Sequence, residues 1–215
     1  MEYWQITKTD CYIPKVLQIE NTIWQKGVKY IAGVDEAGCG PLAGPVVAAA
    51  VIFPKYYFLP EVKDSKKLTP NKRKLLYKLI TENAVCFGVG LVAPDDIDKF
   101  NIRTATFKAM RIAIGKLMKQ PDYILFDGYE LPEKIYSQEA VIKGDELSFT
   151  IAAASIIAKV TRDQLMVNYH QLFPDYGFDK HKGYGTAHHR KMIKQHGPCS
   201  IHRKSFLRKI LKPIP

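Results

Sequence analysis

Four acidic residues stand where they could do chemistry together. Asp35 and Glu36 follow the apolar run that begins at Tyr30, Asp127 closes "YILFD", and Asp145 follows "AVIK" just before a long alanine-rich stretch. Burying an unpaired charge costs several kcal/mol or more, and carboxylates brought together raise the cost of ionising one another. Converging acids therefore make sense around divalent cations. An all-oxygen donor set points to Mg2+ or Mn2+ rather than zinc. Two such cations about 3.5–4 Å apart activate a water, neutralise the charge growing on a phosphoryl group and stabilise the departing alkoxide. Four carboxylates then suffice for phosphodiester hydrolysis, with no catalytic histidine. A single Asp before a Gly, such as Asp127 before Gly128, is more often a turn residue than a ligand; the coincidence of several shifts the weight.

The glycines after these acids do not make a phosphate loop. Gly33 and Gly38 have the spacing of G-x-x-x-x-G-K-[ST], but Cys39 and Gly40 stand where Lys and Ser or Thr belong. Gly38, Gly40 and Gly44 run one residue too long for a dinucleotide fingerprint, and two preceding acids would repel a pyrophosphate. What Gly38 and Gly40 offer is main chain with little side-chain cover, open to close approach by a ligand. The Cys39 thiol, with no His or second Cys near it in sequence, reads as inert. Ser155 in "AAAS" reads as close helix–sheet packing, and Asp163 as the partner of Arg162 or another base. His188 and His189 read as surface-helix residues, forming with His181 and His196 a histidine-rich stretch able to meet phosphates.

Positioning the acids needs strands that end at one edge. "KYIAGVDE" and "PVVAAAVIF" are short apolar runs separated by a Gly/Pro turn, and read as two adjacent strands. "TPNKRKLLYKLITEN" opens with a cap signal at Thr69 and Pro70, and places apolar residues at 75, 76, 79 and 80, so a helix is expected. "AVCFGVGLVA" reads as a third strand, "NIRTATFKAMRIAIGKLMKQ" as a helix lasting until Pro121, "DYILFDG" and "EAVIK" as further strands, and "LSFTIAAASIIAKVTRDQLMVNYHQLF" as a long helix. The order implies an α/β sheet that mixes antiparallel and parallel pairs.

At 215 residues, 47% of them hydrophobic and 25% charged, the chain can bury one substantial core. No apolar run approaches the ~20 residues of a membrane span, and no secretory leader pattern is found, so a cytoplasmic protein without membrane contact is expected. Cys11, Cys39, Cys86 and Cys199 lack C-x-x-C spacing, which argues against a zinc knuckle or a disulfide framework. The net charge is +11, and the segment from Lys180 to Pro215 holds ten Lys or Arg and no acid. A second cluster, Lys63 to Lys78, carries seven basic residues against one acid. Two separated basic clusters point to a polyanionic partner.

"GVDEAGCGPLAGPVVAAAV", "DSKKLT", "FDG", "VIKGDELSFTIAAASIIAKVTRD" and "HKGYGTAHH", in this order, resemble ribonuclease HII over roughly residues 29 to 198. The resemblance implies a ribonuclease-H-like mixed sheet flanked by helices, with a small C-terminal helical part. It divides the chain into an N-terminal extension (1–28), a catalytic domain (29–178) and a basic C-terminal helical region (179–215). It implies endonucleolytic cleavage of RNA in RNA/DNA hybrids and, in duplex DNA, a cut on the 5′ side of single ribonucleotides that leaves a 5′-phosphate and a 3′-hydroxyl. By position, Asp35, Glu36, Asp127 and Asp145 match the metal-binding catalytic acids. Gly38, Cys39 and Gly40 match a main-chain sensor of the ribose 2′-hydroxyl, whose middle residue is usually Arg, and Tyr184 matches a tyrosine stacking at the RNA–DNA junction. Ser65, Lys66, Lys67 and Lys182 are expected to bind substrate, and the protein to act as a monomer. The related ribonuclease HIII is disfavoured, because about thirty residues before the first motif leave no room for its extra domain. Two rivals remain: a deoxyribonuclease or resolvase of the same fold, and a basic nucleic-acid-binding protein without catalysis, which would not need four acids facing phosphates.

Overall fold

In the computed structural model, which describes residues 13–62 and 68–211, five strands form one sheet. They are β1 (Ile31–Ala37), β2 (Val46–Ile52), β3 (Cys86–Val92), β4 (Tyr123–Asp127) and β5 (Ser137–Val141), in the order β3-β2-β1-β4-β5. β2 pairs antiparallel with both β1 and β3, whereas β4 runs parallel to β1 and β5 parallel to β4. The mixed α/β sheet expected from the element order is therefore present, with β1 at its centre. Cys11 and the basic stretch Ser65, Lys66 and Lys67 lie outside the described residues.

Eight helices complete the described part of the chain: α1 (Gln18–Gln25), α2 (Pro70–Asn83), α3 (Pro94–Phe100), α4 (Ile102–Gly115), α5 (Gly144–Leu147), α6 (Phe149–Leu172), α7 (Phe178–His181) and α8 (Ala187–His196). Side-chain oxygens cap four of them. Thr69 accepts from the Lys72 N–H, Asn101 from Thr104, Ser148 from Ile151 and Thr186 from His189, each satisfying a first-turn donor that has no partner within its helix. Two differences from the sequence pattern stand out. The helix expected to reach Pro121 ends at Gly115, a poor helix former. In addition, α3 occupies a stretch to which the pattern gives no element; seven residues are too few to show a helical period, although Pro94 and the acids Asp95 and Asp96 mark a helix start.

The centre of the sheet is buried on both faces, so β2 is apolar at every position. On one face lie α6, α1 and α2, with Leu17, Trp24, Val51, Leu125, Phe149 and Ile156 among the packed residues. On the other lies α4, which packs Ala109 and Met110 against Ala32, Val34, Ala50 and Phe126. The first ten residues of α6 are buried all round because this half of the helix sits on the sheet. Its alanines allow a close approach, and at Gly33 the approach is closest: a Cβ there would stand 2.2 Å from the Thr150 carbonyl carbon. Residues before β1 belong to the same core. Glu20 of α1 is buried at the start of α6, where its Oε1 accepts from the Ser148 hydroxyl at 2.6 Å and the Thr150 N–H at 3.0 Å. A third cluster, containing Met166, Phe178, Ile193, Ile201 and Leu207, fastens the C-terminal helices to the second half of α6.

Candidate active site

Strand alternation decides which way each acid faces. Gly33 and Leu125 face α6, while Val34 and Phe126 are paired neighbours whose side chains face α4. With a side-chain period of two, Asp35 and Asp127 therefore both emerge on the α6 side, at the C-terminal ends of adjacent parallel strands. Glu36 emerges on the α4 side. Such carboxyl ends are where open α/β sheets bind ligands. Asp35 is 5% exposed. Its Oδ1 accepts the Glu36 N–H at 2.6 Å, and the Ser155 hydroxyl of α6 bonds to the carboxyl. Burial first, then the charges of Glu36 and Asp127, push this carboxyl well above the usual carboxylate range. Asp127 Oδ1 accepts the Gly144 N–H at 2.7 Å, which ties α5 and its buried Asp145 to the end of β4.

A cleft of about 330 Å³ opens at this edge. Asp35, Glu36, Gly38, Cys39, Gly40, Asp127, Ser155, Lys159, Arg162 and Tyr184 line it. Three of the four expected acids, the whole Gly38–Gly40 segment and Tyr184 thus share one cavity; Asp145 is not among its lining residues. The carboxylates do not close into a cage, since no three His, Cys, Asp or Glu side chains among the described residues are drawn together as a metal site. Their chemistry nevertheless fits a hard divalent cation. The donors are oxygens, and a cation would relieve the repulsion that raises the Asp35 carboxyl.

The Cys39 thiol turns inward rather than out to a phosphate. Its Sγ donates to Glu36 Oε1 and lies beside the Thr106 hydroxyl of α4, both at 3.4 Å. Burial and the Glu36 charge push the thiol up to about 12, which keeps it protonated. Tyr184, 45% exposed, presents its ring between Gly183 and Gly185. Beside it a second groove, of about 410 Å³, is lined by Arg73, Lys74, Lys159, Lys180, Lys182 and Tyr184. Of these, Lys159 is paired with Asp163 at 2.8 Å, so Asp163 takes this partner rather than Arg162. The Lys182 ammonium donates to the Asp179 carbonyl.

Sequence reading passes over several residues of this site. Arg162 is buried and donates to the carbonyls of Pro45 (3.0 Å), Lys182 (3.0 Å) and Ala43 (3.1 Å). Arg203, one of the ten C-terminal bases read as facing a polyanion, is fully buried and donates to the carbonyls of Gly44 (3.0 Å), Cys39 (3.1 Å) and Gly38 (2.6 Å). Burial lowers its pKa to about 9. His189 also differs from expectation: α8 turns it into the core, 0% exposed, against Phe178 and His202. For Arg203 and His189 no sequence signal separates the side chain from the exposed bases around it, whereas helical spacing from Ser155, Ala158 and Met166 puts Arg162 on the buried face of α6.

Comparison with known proteins identifies the family. A family model described as Ribonuclease HII matches residues 32–209. The chain belongs to the ribonuclease HII family. It is 50% identical over 195 residues to the ribonuclease HII of Caldicellulosiruptor saccharolyticus, covering 91% of this chain and 95% of that protein. To the Chlamydia abortus ribonuclease HII it is 53% identical over 188 residues, 87% of this chain and 88% of that one. Among solved structures, the ribonuclease H2 of Pyrococcus horikoshii superposes with a TM-score of 0.70 at 28% identity, over 84% of this chain and 96% of that one. The family and the ribonuclease-H-like fold make this protein a ribonuclease H, an endonuclease. Among the described residues no helix is long and apolar enough to cross a membrane.

Proposed function

We propose that the protein, with Mg2+ or Mn2+, hydrolyses the RNA strand of RNA/DNA hybrids and cuts on the 5′ side of a single ribonucleotide in duplex DNA, leaving a 5′-phosphate and a 3′-hydroxyl. The observation that carries this reading is the one cleft in which Asp35, Glu36 and Asp127 stand beside the Gly38–Gly40 main chain and the Tyr184 ring. Asp35, Glu36, Asp127 and Asp145 would hold the cations, which when bound supply an activated water and neutralise charge at the phosphoryl group. The chain's own residues do the orienting. β1 and β4 fix Asp35 and Asp127 on one face, and Ser155 holds the Asp35 carboxyl in place. Glu36, on the opposite face of β1, lies next to the segment that reads the ribose 2′-hydroxyl. Tyr184 stacks on the sugar or base at the junction, a contact worth about 1–3 kcal/mol where bases are involved. The groove of Arg73, Lys74 and Lys180 continues from Tyr184 and suits a phosphate backbone.

With Cys39 turned toward Glu36, phosphate affinity falls to that groove rather than to the sensor. Detection and chemistry are separated by only two or three residues of chain, so the cut should keep a fixed position relative to the 2′-hydroxyl. The test is incubation with Mg2+ and three labelled duplexes: one ribonucleotide in DNA, an RNA/DNA hybrid, and all DNA. Cutting of the first two, with product ends mapped to the 5′ side of the ribonucleotide, supports the reading. Cutting of all-DNA would replace it with a deoxyribonuclease or resolvase, and binding without cutting with a nucleic-acid-binding protein.

A further inference from the structure

We infer that the segment Cys199–Arg203 is a positioning strut that sets the two halves of the ribose reader against each other: Arg203 holds the Gly38–Gly44 loop, and His202, acting through His189, holds Tyr184. The inference rests on the functional reading above, and it assigns positioning roles to residues that touch neither substrate nor metal.

The loop half is a bracket. Besides the three guanidinium bonds to Gly38, Cys39 and Gly44, the Arg203 N–H donates to the Leu42 carbonyl at 2.9 Å, and the Gly44 N–H donates to the Ile201 carbonyl at 2.9 Å. Removing a guanidinium from water is costly unless its donors are satisfied, and this one spends its planar fork on carbonyls. A trans peptide points its N–H opposite to its C=O. Anchoring the Gly38 and Cys39 carbonyls therefore turns the Cys39 and Gly40 N–H groups away from Arg203. Gly38 is kept without a side chain by other neighbours: its φ is +100°, and a Cβ there would lie 2.1 Å from Arg162 Nε and 2.8 Å from the Pro45 carbonyl oxygen.

The tyrosine half is a chain of neutral imidazoles with one direction. The Cys199 N–H donates to His202 Nδ1 at 2.9 Å, so the His202 proton sits on Nε2. His202 Nε2 then donates to His189 Nε2 at 3.0 Å, which leaves the His189 proton on Nδ1, and this donates to the Tyr184 carbonyl at 2.9 Å. His181 stacks on His189 with centroids 4.4 Å apart and accepts the Gly183 N–H on Nδ1. Beyond the strut, Asp98 of α3 accepts the N–H groups of Lys204 at 2.7 Å and Ser205 at 2.9 Å, so the segment is fixed from both sides.

A loosened reader should fail where one 2′-hydroxyl must be found, and much less where every residue of a strand carries one. The experiment measures kcat/KM on a single-ribonucleotide duplex and on a uniform RNA/DNA hybrid for the full chain and for Arg203→Lys, His189→Gln and His189→Asn. Arg203→Lys keeps the charge but not the fork. It should lose about tenfold or more on the single ribonucleotide and less than about threefold on the hybrid. His189→Asn keeps an amide donor where Nδ1 stands but removes the acceptor of the His202 Nε2–H, and His189→Gln keeps an acceptor toward His202 but not the donor to Tyr184; each breaks the chain at one link, and both should lower the single-ribonucleotide rate relative to the hybrid. The two histidine variants remain decisive even if Arg203→Lys does not fold. A merely structural role would lower both substrates together, in proportion to the folded fraction, and that result overturns the strut, as does an unchanged ratio in Arg203→Lys and both histidine variants. Failure of the parent chain to cut at a single ribonucleotide would instead overturn the functional reading, and the strut with it.

Discussion

Asp35 shows what can be read from a residue's type and what only its surroundings decide. Its type and neighbours are enough to suggest a metal ligand. That it faces α6 and Glu36 faces α4 follows from strand parity, and that its carboxyl is the one pushed up follows from burial beside Glu36 and Asp127, which no local pattern encodes. A carboxyl whose folded-state pKa is raised makes the native fold bind more protons than the unfolded chain, so stability is lost as pH rises through that range. At neutral pH without divalent cations, Asp35 therefore costs stability. Asp35→Asn should raise the thermal midpoint in chelator while cutting hybrid cleavage by more than the roughly 10–100-fold that loss of a metal ligand's supporting hydrogen bond costs. A lower midpoint together with lost activity would mean that the carboxylate is structural. Arg162, Arg203 and His189 mark the opposite limit. His189 and Arg203 sit among exposed bases in sequence and Arg162 within α6, and only the tertiary fold shows that their hydrogen bonds end on main-chain carbonyls or on a second imidazole.

At the scale of elements, β1, β2, β4 and the long helix were legible because central strands buried on both faces and an alanine-rich buried helix leave strong compositional marks; β3 alternates buried and exposed positions, and the partly exposed edge strand β5 begins two residues before the run "EAVIK". α3 left too short a mark, and the parallel register of β1 with β4, which makes Asp35 and Asp127 neighbours, left none. Sequence spacing cannot say which apolar run pairs with which, because the crossover between them is long. The contact on which the site depends is α6 against β1. Gly33 permits it: an alanine Cβ there would stand 2.2 Å from the Thr150 carbonyl carbon and 2.5 Å from the Ile151 nitrogen, which are main-chain atoms that cannot swing aside. Gly33→Ala should force α6 off the sheet at a cost of about 1–3 kcal/mol or more, roughly 3–10 °C in thermal midpoint for a chain of this size. The same displacement carries Ser155 away from Asp35, so cleavage should fall even at temperatures where the variant remains folded. A midpoint within one degree of the parent would show that the helix and the strand are not in contact as described.

For the whole molecule, the excess of positive charge suggests a polyanionic partner, yet part of that charge is spent inside: Arg162 and Arg203 are buried as struts, and only bases such as Arg73, Lys74 and Lys180 line the open groove. The histidines divide in the same way, and this gives the protein a pH limit. Burial is the main cause that lowers both His189 and His202 from 6.5 to about 4. His189 is faced by His181, His188 and His202 and by the Tyr184 carbonyl, and His202 by Tyr176, Phe178 and the Cys199 N–H. A second proton on His202 would set Nδ1–H against the Cys199 N–H, and one on His189 would set two Nε2–H groups head to head. Between about pH 6.5 and pH 4 the unfolded chain binds protons at these sites and the native fold does not, so stability falls as pH falls through that window and is fully present above it. Each pH unit that separates the native from the unfolded titration is worth ~1.4 kcal/mol, so the pair contributes on the order of a few kcal/mol. Thermal midpoints should hardly change between pH 8 and pH 7 and should decline steadily from pH 6.5 toward pH 4.5. His189→Asn, which keeps the donor to Tyr184 but cannot be protonated, should show a shallower decline over the same range. If parent and variant lose stability with the same slope, carboxylates rather than the buried imidazoles set the acid limit.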